Sequence, residues 1–355
     1  MTNGTPVDVP PGAPPDTLLD ALVRLGLVGD GDGEAVTGRP LTGGVSCEVW
    51  RIDLPGGRGA VCVKHPLEQL RVAGEWRVST ERTHWEARWL RLAADVLPDG
   101  AACPVRGFDE TGPVLVLGWL DPEQHPLWKS QLMEGRVDAG TAAEVGRRLV
   151  AVHGASAAPA YDLGAWEKAR PLFTALRVDP YLRATARHHP DLAGRLEELA
   201  VGLEQAAYTV VHGDVSPKNI VVGPGGPILL DAECAAPGDP AFDLAFCLNH
   251  LLLKAVRHPE HRAGLARAAT ALRTGYLHGV TWEDPADLDR RAAALQPALA
   301  LARVDGLSPV EYLTEDHGRP QVRRAAVPLL RLPPADTTEL VDRWLKSTEP
   351  EEHPA

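Results

Sequence analysis

A chain of 355 residues exceeds what one compact core usually contains and is long enough for two lobes with a cleft between them. Apolar residues make up 44% and charged residues 24%, which is the balance of a packed globular protein and excludes a disordered or fibrous one. The formal net charge of -12 disfavours nucleic acid and anionic membranes as partners, whereas an acidic cleft would suit metal ions or cationic ligands.

The cysteines and the N-terminus indicate a cytoplasmic protein. Five cysteines are present, an odd number, widely scattered and never in a Cys-x-x-Cys pair, so neither a disulfide framework nor a zinc site is expected. The N-terminus lacks the basic start and apolar run of an export signal. No stretch reaches the ~18 uninterrupted apolar residues of a membrane helix, so we expect no membrane partner.

The first part of the chain predicts a small antiparallel sheet that carries one helix. Residues 1–15 are rich in proline, glycine and small polar side chains, and we expect them to be disordered, as we do 349–355. An N-terminal lobe is assigned to 16–117. Its predicted elements are a helix from Asp16, strands at 47–54 and 59–64, a helix at 80–94, and strands at 105–108 and 113–117.

The C-terminal lobe, 118–348, has mostly helical periodicity. The predicted helices are 139–153, 192–205, 242–256, 262–278, 285–303 and 337–346. A strand-rich interruption at 208–231 holds most of the chemically suggestive residues. A small sheet followed by a larger helical part predicts an α+β fold with two lobes.

Three polar residues in this interruption have the side chains that phosphoryl transfer requires, namely a carboxylate beside the attacking hydroxyl and oxygen ligands for magnesium. Asp214 begins a loop after an apolar strand, where a base can face a cleft. Asn219 ends that loop. A predicted hairpin at 220–230 then brings Asp231 beside Asn219, and the two oxygens can hold Mg2+.

The polar residues of this segment and its surroundings also have simpler interpretations. Single aspartates in loops are usually just solvated, and His212 is more often a buried, hydrogen-bonded histidine than an acid-base group, which is the role we assign it. Asp243 can be a simple helix cap. Lys218 and Glu233 are neighbours of the three polar residues.

The complete pattern resembles a known family. HGDVSPKN at 212–219, LDAE at 230–233 and GDPAFDLA at 238–245 resemble the aminoglycoside phosphotransferase and choline kinase superfamily, relatives of the protein kinases. The resemblance implies a two-lobed, protein-kinase-like fold that uses ATP and Mg2+ to phosphorylate a hydroxyl group. It implies Asp214 as catalytic base, Asn219 and Asp231 as metal ligands, and Asp243 as an anchor of the catalytic loop.

The nucleotide side is predicted in the N-terminal lobe. LTGGVS at 41–46 resembles the family's short glycine loop, so the backbone around Gly43, Gly44 and Ser46 is expected to contact phosphate. Lys64 ends an apolar strand, as a phosphate-binding lysine requires. Trp119 and Leu120 fall where an interlobe hinge and an adenine-binding backbone are expected. A glycine pair is more often a turn, and a lysine at a strand end is more often exposed.

Lys64 needs a carboxylate partner to fix its geometry. The candidates are Glu68, Glu75, Glu81 and Glu86. We favour Glu86, because it lies within the periodic run of the predicted helix at 80–94. Surface pairing with Arg82 is the alternative.

The substrate is less determined. Residues 72–86 are similar to the loop and helix of methylthioribose kinases, with Trp76, Arg82 and Glu86 at matching positions. LARVDG at 301–306 matches the place where that family holds its sugar with two arginines, of which only Arg303 is present. The run VSPKN also departs from that family. A sugar or nucleoside-like alcohol is therefore the expected acceptor, with Trp76, Glu233 and Arg303 as candidate contacts.

Two other functions compete with this interpretation. An aminoglycoside O-phosphotransferase would use acidic side chains to bind a cationic antibiotic, and an acidic run is available at Glu283, Asp284, Asp287 and Asp289. A pseudokinase would bind nucleotide without turnover, but the base, the metal ligands and the lysine candidate are all present. Partners are limited to a small-molecule hydroxyl substrate, and the protein is expected to be a monomer or a homodimer.

Overall fold

A computed structural model describes residues 12–29, 31–41, 46–69 and 78–349. Most of the two predicted disordered tails, 1–11 and 350–355, lies outside the described residues. Gly12 differs from the expectation, because it forms a backbone bridge with Gly38 in which each N–H donates to the other carbonyl at 2.9 Å. Ordered chain therefore begins before Asp16.

The chain divides into two compact units, one ending at Pro122 and the other beginning at Glu123. The described part of the first unit contains a five-stranded antiparallel sheet with the order β1-β2-β3-β5-β4. Its strands are β1 (Thr37–Leu41), β2 (Cys47–Asp53), β3 (Ala60–Pro66), β4 (Val105–Asp109) and β5 (Val114–Gly118), and its helices are α1 (Asp16–Arg24) and α2 (Arg82–Val96).

The sequence did not predict β1, whose residues include Gly38 and Pro40. Proline cannot donate to a strand ladder and is tolerated at a sheet edge, which is where β1 lies. On the core side, Leu18 and Leu22 of α1 pack with Val63 and Val116, which face each other across β3 and β5. Alternation of buried residues along β3 produces this apolar face.

The second unit is mostly helical, as predicted. Its α-helices are α3 (Trp128–Met133), α4 (Ala139–Ala157), α5 (Arg170–Phe173), α6 (Ala184–His188), α7 (Ala193–Gln205), α8 (Ala241–Arg257), α9 (Arg262–Leu277), α10 (Pro285–Asp305), α11 (Arg319–Arg331) and α12 (Thr337–Ser347), and a π-helix (Thr174–Arg183) lies between α5 and α6. Its strands are β6 (Thr209–Val211), β7 (Ile220–Gly223), β8 (Gly226–Leu229) and β9 (Ala236–Gly238). β6 pairs with β9, and β7 with β8.

Helix α8 forms the centre of this unit. Every residue from Ala241 to Val256 is buried, and the helix packs against α9 and α10. A helix that is apolar on nearly all sides is buried on all sides, so its few polar side chains lie deep in the protein. The α+β fold class predicted from the sequence is confirmed. No helix in the described part of the chain has the length and apolar character needed to cross a membrane.

Candidate active site

The loop that carries Asp214 turns sharply where β6 ends. Gly213 has a φ of 77°, a conformation that favours glycine. A Cβ at this position would lie 2.7 Å from the carbonyl oxygen of Cys234, so the loop also passes too close to a neighbouring segment for a larger residue. These two constraints place Asp214 immediately after a strand in a tightly packed turn.

Asp243 fixes this turn from the first turn of α8. Its carboxylate accepts hydrogen bonds from the N–H groups of His212 at 2.6 Å and Gly213 at 2.9 Å, and its side chain is fully buried. These are the contacts that the family resemblance implied. Charge-assisted bonds of this kind are the stronger ones in proteins, so the loop is held at two successive residues.

A second layer, which the sequence did not reveal, supports Asp243. Nε2 of His153 on α4 lies 3.1 Å from Oδ2 of Asp243, and Nδ1 of the same ring lies 2.6 Å from the hydroxyl oxygen of Tyr276 on α9. All three side chains are fully buried. Three helices therefore converge on the carboxylate that holds the loop.

His212 has the structural role predicted for it. Its Nδ1 accepts the N–H of Asp214 at 3.1 Å, which leaves the proton on Nε2, and Nε2 donates to the carbonyl oxygen of Leu230 at 3.1 Å. Burial lowers the pKa of His212 against the opposing effect of nearby carboxylates such as Asp243. The neutral ring connects the loop to the chain just before Asp231.

Asp214 is buried and ionised. Its Oδ2 lies 3.0 Å from Nη2 of Arg177 and 3.1 Å from Nζ of Lys218. Burial alone would raise the pKa of the Asp214 carboxyl, but the Lys218 and Arg177 cations lower that pKa below its ordinary value, with a smaller opposing effect from Asp231. A carboxylate kept charged near neutral pH can accept a proton from a hydroxyl group.

Arg177 was missed by the sequence analysis. It lies in the π-helix, is 8% exposed, and donates hydrogen bonds to the carbonyl oxygens of Gly213 and Leu176 as well as pairing with Asp214. Burial opposes its charge, but Cys234, Asp214 and other neighbours hold the pKa of Arg177 above its ordinary value. The guanidinium therefore fixes both the backbone and the carboxylate of the loop.

Asn219 and Asp231 meet at the end of the β7–β8 hairpin. Nδ2 of Asn219 donates to the carbonyl oxygen of Asp214 at 3.1 Å, and the carbonyl of Asn219 accepts from Leu230 at 2.8 Å. Asp231 follows with a φ of 67°, a strained conformation for a non-glycine residue of the kind found at functional sites. The structure thus brings Asp214, Asn219 and Asp231 together.

The donor set of these residues fits a magnesium ion. The amide nitrogen of Asn219 is used within the loop, so its oxygen is the atom that can face a cation, and Asp231 supplies a carboxylate. Magnesium prefers such hard oxygen ligands and needs only one or two from a protein. Glu233, two residues further, is half-buried and close enough to raise the pKa of Arg177.

In the first unit, Lys64 on β3 pairs with Glu86 on α2. Nζ lies 2.8 Å and 2.6 Å from the two carboxylate oxygens of Glu86, and both side chains are buried. The partner is the one that the sequence favoured. Arg82 is fully buried and donates to backbone carbonyls, among them those of Ser46 and Leu67. It holds the chain at the start of β2.

The other predicted nucleotide contacts are only partly described. Gly43 and Gly44 lie outside the described residues, as does Trp76, a candidate contact of the acceptor. Ser46 directly precedes β2, and Trp119 and Leu120 directly follow β5 and are half-buried. The guanidinium of Arg51 lies 5.1 Å from the ring centre of Trp119.

Comparison with known proteins identifies the family. Residues 37–286, more than half of the chain, match the family model described as the phosphotransferase enzyme family, APH. The chain belongs to this family. The relationship suggested by the motifs at 212–219, 230–233 and 238–245 is confirmed.

Curated relatives of this chain include methylthioribose kinases. That of Pectobacterium atrosepticum is 26% identical over 260 residues, which cover 64% of this chain and 64% of the relative. That of Bacillus cereus is 24% identical over 238 residues, 59% of each chain. The match thus spans less than two thirds of the length of these relatives.

Solved structures agree on the fold. An ethanolamine kinase from Plasmodium vivax superposes with a TM-score of 0.52 at 10% identity, covering 93% of this chain and 87% of the other. An amicoumacin kinase in complex with AMP-PNP, Ca2+ and Ami superposes with a TM-score of 0.51 at 13% identity, covering 92% and 93%. At such low identities the likeness establishes a shared fold alone.

The remaining candidate residue, Arg303, lies on α10 and is 9% exposed. It donates to the hydroxyl oxygens of Tyr181 at 3.1 Å and Ser308 at 2.7 Å. Its guanidinium lies 5.7 Å from the Tyr181 ring centre, and that of Arg177 lies 5.8 Å from the same ring. Arg303 is therefore connected through one aromatic ring to the arginine that contacts Asp214.

The acidic side chains proposed for binding a cationic antibiotic already have partners within the second unit. Its members are engaged as follows: Glu283 with Arg291, Asp289 with Arg273, Asp287 with Arg290, and Asp284 with the backbone N–H of Ala286 at the start of α10. Carboxylates already paired with arginines attract a cationic ligand less than unpaired ones.

Proposed function

We propose that this protein is an ATP- and Mg2+-dependent kinase that transfers the γ-phosphate to a hydroxyl group of a sugar or sugar-like alcohol. The observation that carries the proposal is the environment of Asp214. A buried carboxylate, kept ionised by Arg177, stands on a loop anchored by Asp243 and next to Asn219 and the strained Asp231. Such an arrangement suits a base that works in a fixed position.

In the proposed mechanism Asp214 accepts a hydrogen bond from the acceptor hydroxyl and takes its proton as the phosphoryl group is transferred. Arg177 keeps the carboxylate ionised, and Asp243 and His212 hold its backbone, so little reorganisation is needed during the reaction. Lys218 is half exposed beside the carboxylate and adds positive charge.

Asn219 and Asp231 are proposed to hold Mg2+ through an amide oxygen and a carboxylate. When bound, the metal would neutralise phosphate charge. The left-handed backbone of Asp231 supports a functional role, because such strain persists where the surrounding structure enforces it.

Lys64 is the proposed phosphate contact of the nucleotide site. Glu86 holds its ammonium group within hydrogen-bonding distance and so fixes the direction of a flexible side chain. Ser46, with Gly43 and Gly44, is proposed to contact phosphate through the backbone, and Trp119 and Leu120 to contact the adenine. The proposal includes a cytoplasmic location, with which four buried cysteine thiols agree.

A sugar-like acceptor is favoured over an aminoglycoside. The curated relatives are methylthioribose kinases, and the acidic run at 283–289 is paired internally. Trp76, Glu233 and Arg303 are the proposed acceptor contacts. Arg303 has the strongest support, because its guanidinium is buried and connected to Arg177 through Tyr181.

The deciding experiment compares Asp214→Asn with wild type, using release of ADP in the presence of a panel of sugars, nucleosides, amino alcohols and aminoglycosides. We expect Asp214→Asn to reduce turnover by ~10² or more, because the proton acceptor is lost, while binding of Mg-ATP by calorimetry persists. Asp231→Ala is expected to weaken Mg-ATP binding. Asp342→Asn, an exposed carboxylate on α12, is the matched control.

Wild-type turnover in Asp214→Asn would contradict the role of this residue. If only an aminoglycoside is phosphorylated, and no sugar or nucleoside, the proposed acceptor class changes from a sugar-like alcohol to an aminoglycoside.

A further inference from the structure

A buried basic cluster lies in the second unit, formed by His250 and Lys254 of α8, Arg303 of α10 and Tyr312, which follows α10. The first three side chains are 5%, 1% and 9% exposed. Nζ of Lys254 lies 5.3 Å from the ring centre of Tyr312, and its hydrogen bond is a long one of 3.4 Å to the backbone carbonyl of His250. An ammonium group with so little hydrogen bonding is unusual in a protein interior.

Several polar atoms of this cluster are buried without a hydrogen-bond partner among the described residues. They are Nε2 of His250, Nε of Arg303 and the hydroxyl oxygen of Tyr312. A buried polar group left unpaired costs free energy, and most protein interiors avoid it. Three such atoms from three segments of chain, next to an almost unpaired lysine, indicate that the cluster is built to contact something else.

The charges around the cluster define what that partner must be. The largest charged contributions to the pKa of the His250 ring come from the cations Arg303, Lys254, Lys218 and Lys129, all of which lower it. The carboxylate of Glu311, which raises the pKa of Lys254, is already paired with Lys129. An anion would therefore meet an excess of positive charge and several unused donors.

The cluster also lies close to the proposed catalytic base. Arg303 and Arg177 approach the same Tyr181 ring, to 5.7 Å and 5.8 Å from its centre, and Arg177 contacts Asp214 at 3.0 Å. A small molecule whose hydroxyl faced Asp214 could therefore extend another group toward the cluster.

We propose that the buried basic cluster binds an anionic group of the acceptor, so that the substrate is a hydroxyl compound that also carries a carboxylate or a phosphate. This inference rests on the proposed function and narrows its substrate class. Arg303 and the protonated form of Lys254 supply the charge, and His250, Arg303 and Tyr312 supply hydrogen bonds to anionic oxygens.

The first test measures binding without turnover. Wild type, Lys254→Met and Tyr312→Phe are titrated by calorimetry with inorganic phosphate and with glycolate, in the presence of Mg-ADP and at constant ionic strength. At least one anion is expected to bind wild type, with affinity about tenfold or more weaker in Lys254→Met and weaker in Tyr312→Phe, because charge-assisted hydrogen bonds are lost. Lys346→Met, which removes an exposed lysine of α12, is the matched control and should bind as wild type does.

Tyr312→Phe keeps the test decisive should Lys254→Met fold poorly, since it removes only an oxygen that has no hydrogen-bond partner in the part of the chain that the structure describes. Equal anion affinity in wild type, Lys254→Met and Tyr312→Phe would overturn the inference. So would a result in which neither phosphate nor glycolate binds wild type.

The second test uses ADP release with matched acceptors: ribose, ribonate and ribose 5-phosphate. We expect an anionic member to have a KM about tenfold or more below that of ribose, and Lys254→Met to raise that KM with a smaller effect on kcat. The carboxylate and phosphate members identify which anion is preferred. Preference for neutral ribose would overturn the inference.

The two proposals fail in different ways. If Asp214→Asn retains wild-type turnover while anion binding depends on Lys254, the proposed function fails and the anion site stands. If turnover depends on Asp214 but neither anion affinity nor the KM of the anionic acceptors changes in Lys254→Met, the proposed kinase activity is supported and the anionic acceptor is excluded.

Discussion

At the scale of single residues, the two cations beside Asp214 differ in how much they can contribute. Lys218 has a side chain that is 52% exposed, and water and salt screen an ion pair of this kind. Arg177 is 8% exposed and is fixed by hydrogen bonds to two backbone carbonyls. We therefore attribute to Arg177 the part of the lowering of the Asp214 pKa that water and salt do not screen.

Replacement of Arg177 tests this assignment. In Arg177→Gln the burial of Asp214 is opposed mainly by the screened Lys218, so the pKa of the carboxyl rises. Asp214 must be deprotonated to act as a base, so the acid limb of the kcat/KM profile is expected to move to higher pH. The measurement is ADP release between pH 4 and pH 8.

Arg177→Lys keeps the charge and should restore part of this shift, whereas Arg187→Gln, an exposed arginine in the following helix, should leave the profile unchanged. An acid limb at the wild-type pH in Arg177→Gln would show that Arg177 only supports the structure of the loop.

The residues around Asp214 were predictable only where one short segment contains them. Asp214, Asn219 and Asp231 lie within a loop and a hairpin of adjacent sequence, so spacing was informative. Arg177 and His153 reach the site from distant helices. Their place depends on tertiary packing, and no local pattern distinguishes them from other helical arginines and histidines.

At the scale of secondary structure elements, the approach of α4 to α9 positions His153 and Tyr276 near Asp243. Glycine makes this approach close. A Cβ on Gly275 of α9 would lie 2.3 Å from the carbonyl oxygen of Ala143, and one on Gly146 of α4 would lie 2.4 Å from that of Leu272. Both obstacles are backbone atoms, which cannot move aside without separating the helices.

Gly275→Ala is therefore expected to destabilise the protein by about 1–3 kcal/mol, because the overpacking exceeds the gain in helix propensity. Gly202→Ala in α7 is the matched control. No atom lies within 4 Å of a Cβ at Gly202, so that variant should gain roughly 0.5–1 kcal/mol. Denaturant midpoints measure both, and a Gly275→Ala variant as stable as Gly202→Ala would contradict the close approach.

Apolar periodicity predicted most of the long helices and strands, including α10 with its internal Pro297, but missed three other elements that contain proline. β1 contains Pro40, the π-helix contains Pro180, and α11 contains Pro328. Proline usually ends helices and weakens strands, so it weakens the local signal of these segments. Tertiary packing overrides that preference here, because all three lie against structure that stabilises them.

At the scale of the whole molecule, burial of Lys254 makes stability depend on pH. Burial is the largest effect on the pKa of this lysine and, together with the nearby Lys129 and Arg303, lowers it to about 7 against the opposing effects of Glu311 and Cys247. In the unfolded chain the pKa returns to about 10.4. Between these values the unfolded chain binds more protons than the folded one.

The free energy of unfolding therefore rises with pH between about 7 and about 10.4, by at most about 1.4 kcal/mol per pH unit from this group. Below about pH 7 the lysine is protonated in both states, and the full destabilisation by its buried charge is present. Lys254→Met removes the titrating group and keeps an apolar stem of similar length. The variant is expected to be more stable than wild type at pH 6, with a difference that shrinks toward pH 10. Urea unfolding of both proteins across this range measures the difference, in which other titrating groups cancel. A difference that stayed constant with pH would mean that Lys254 keeps an ordinary pKa, and hence that its ammonium group already has a partner in the folded protein.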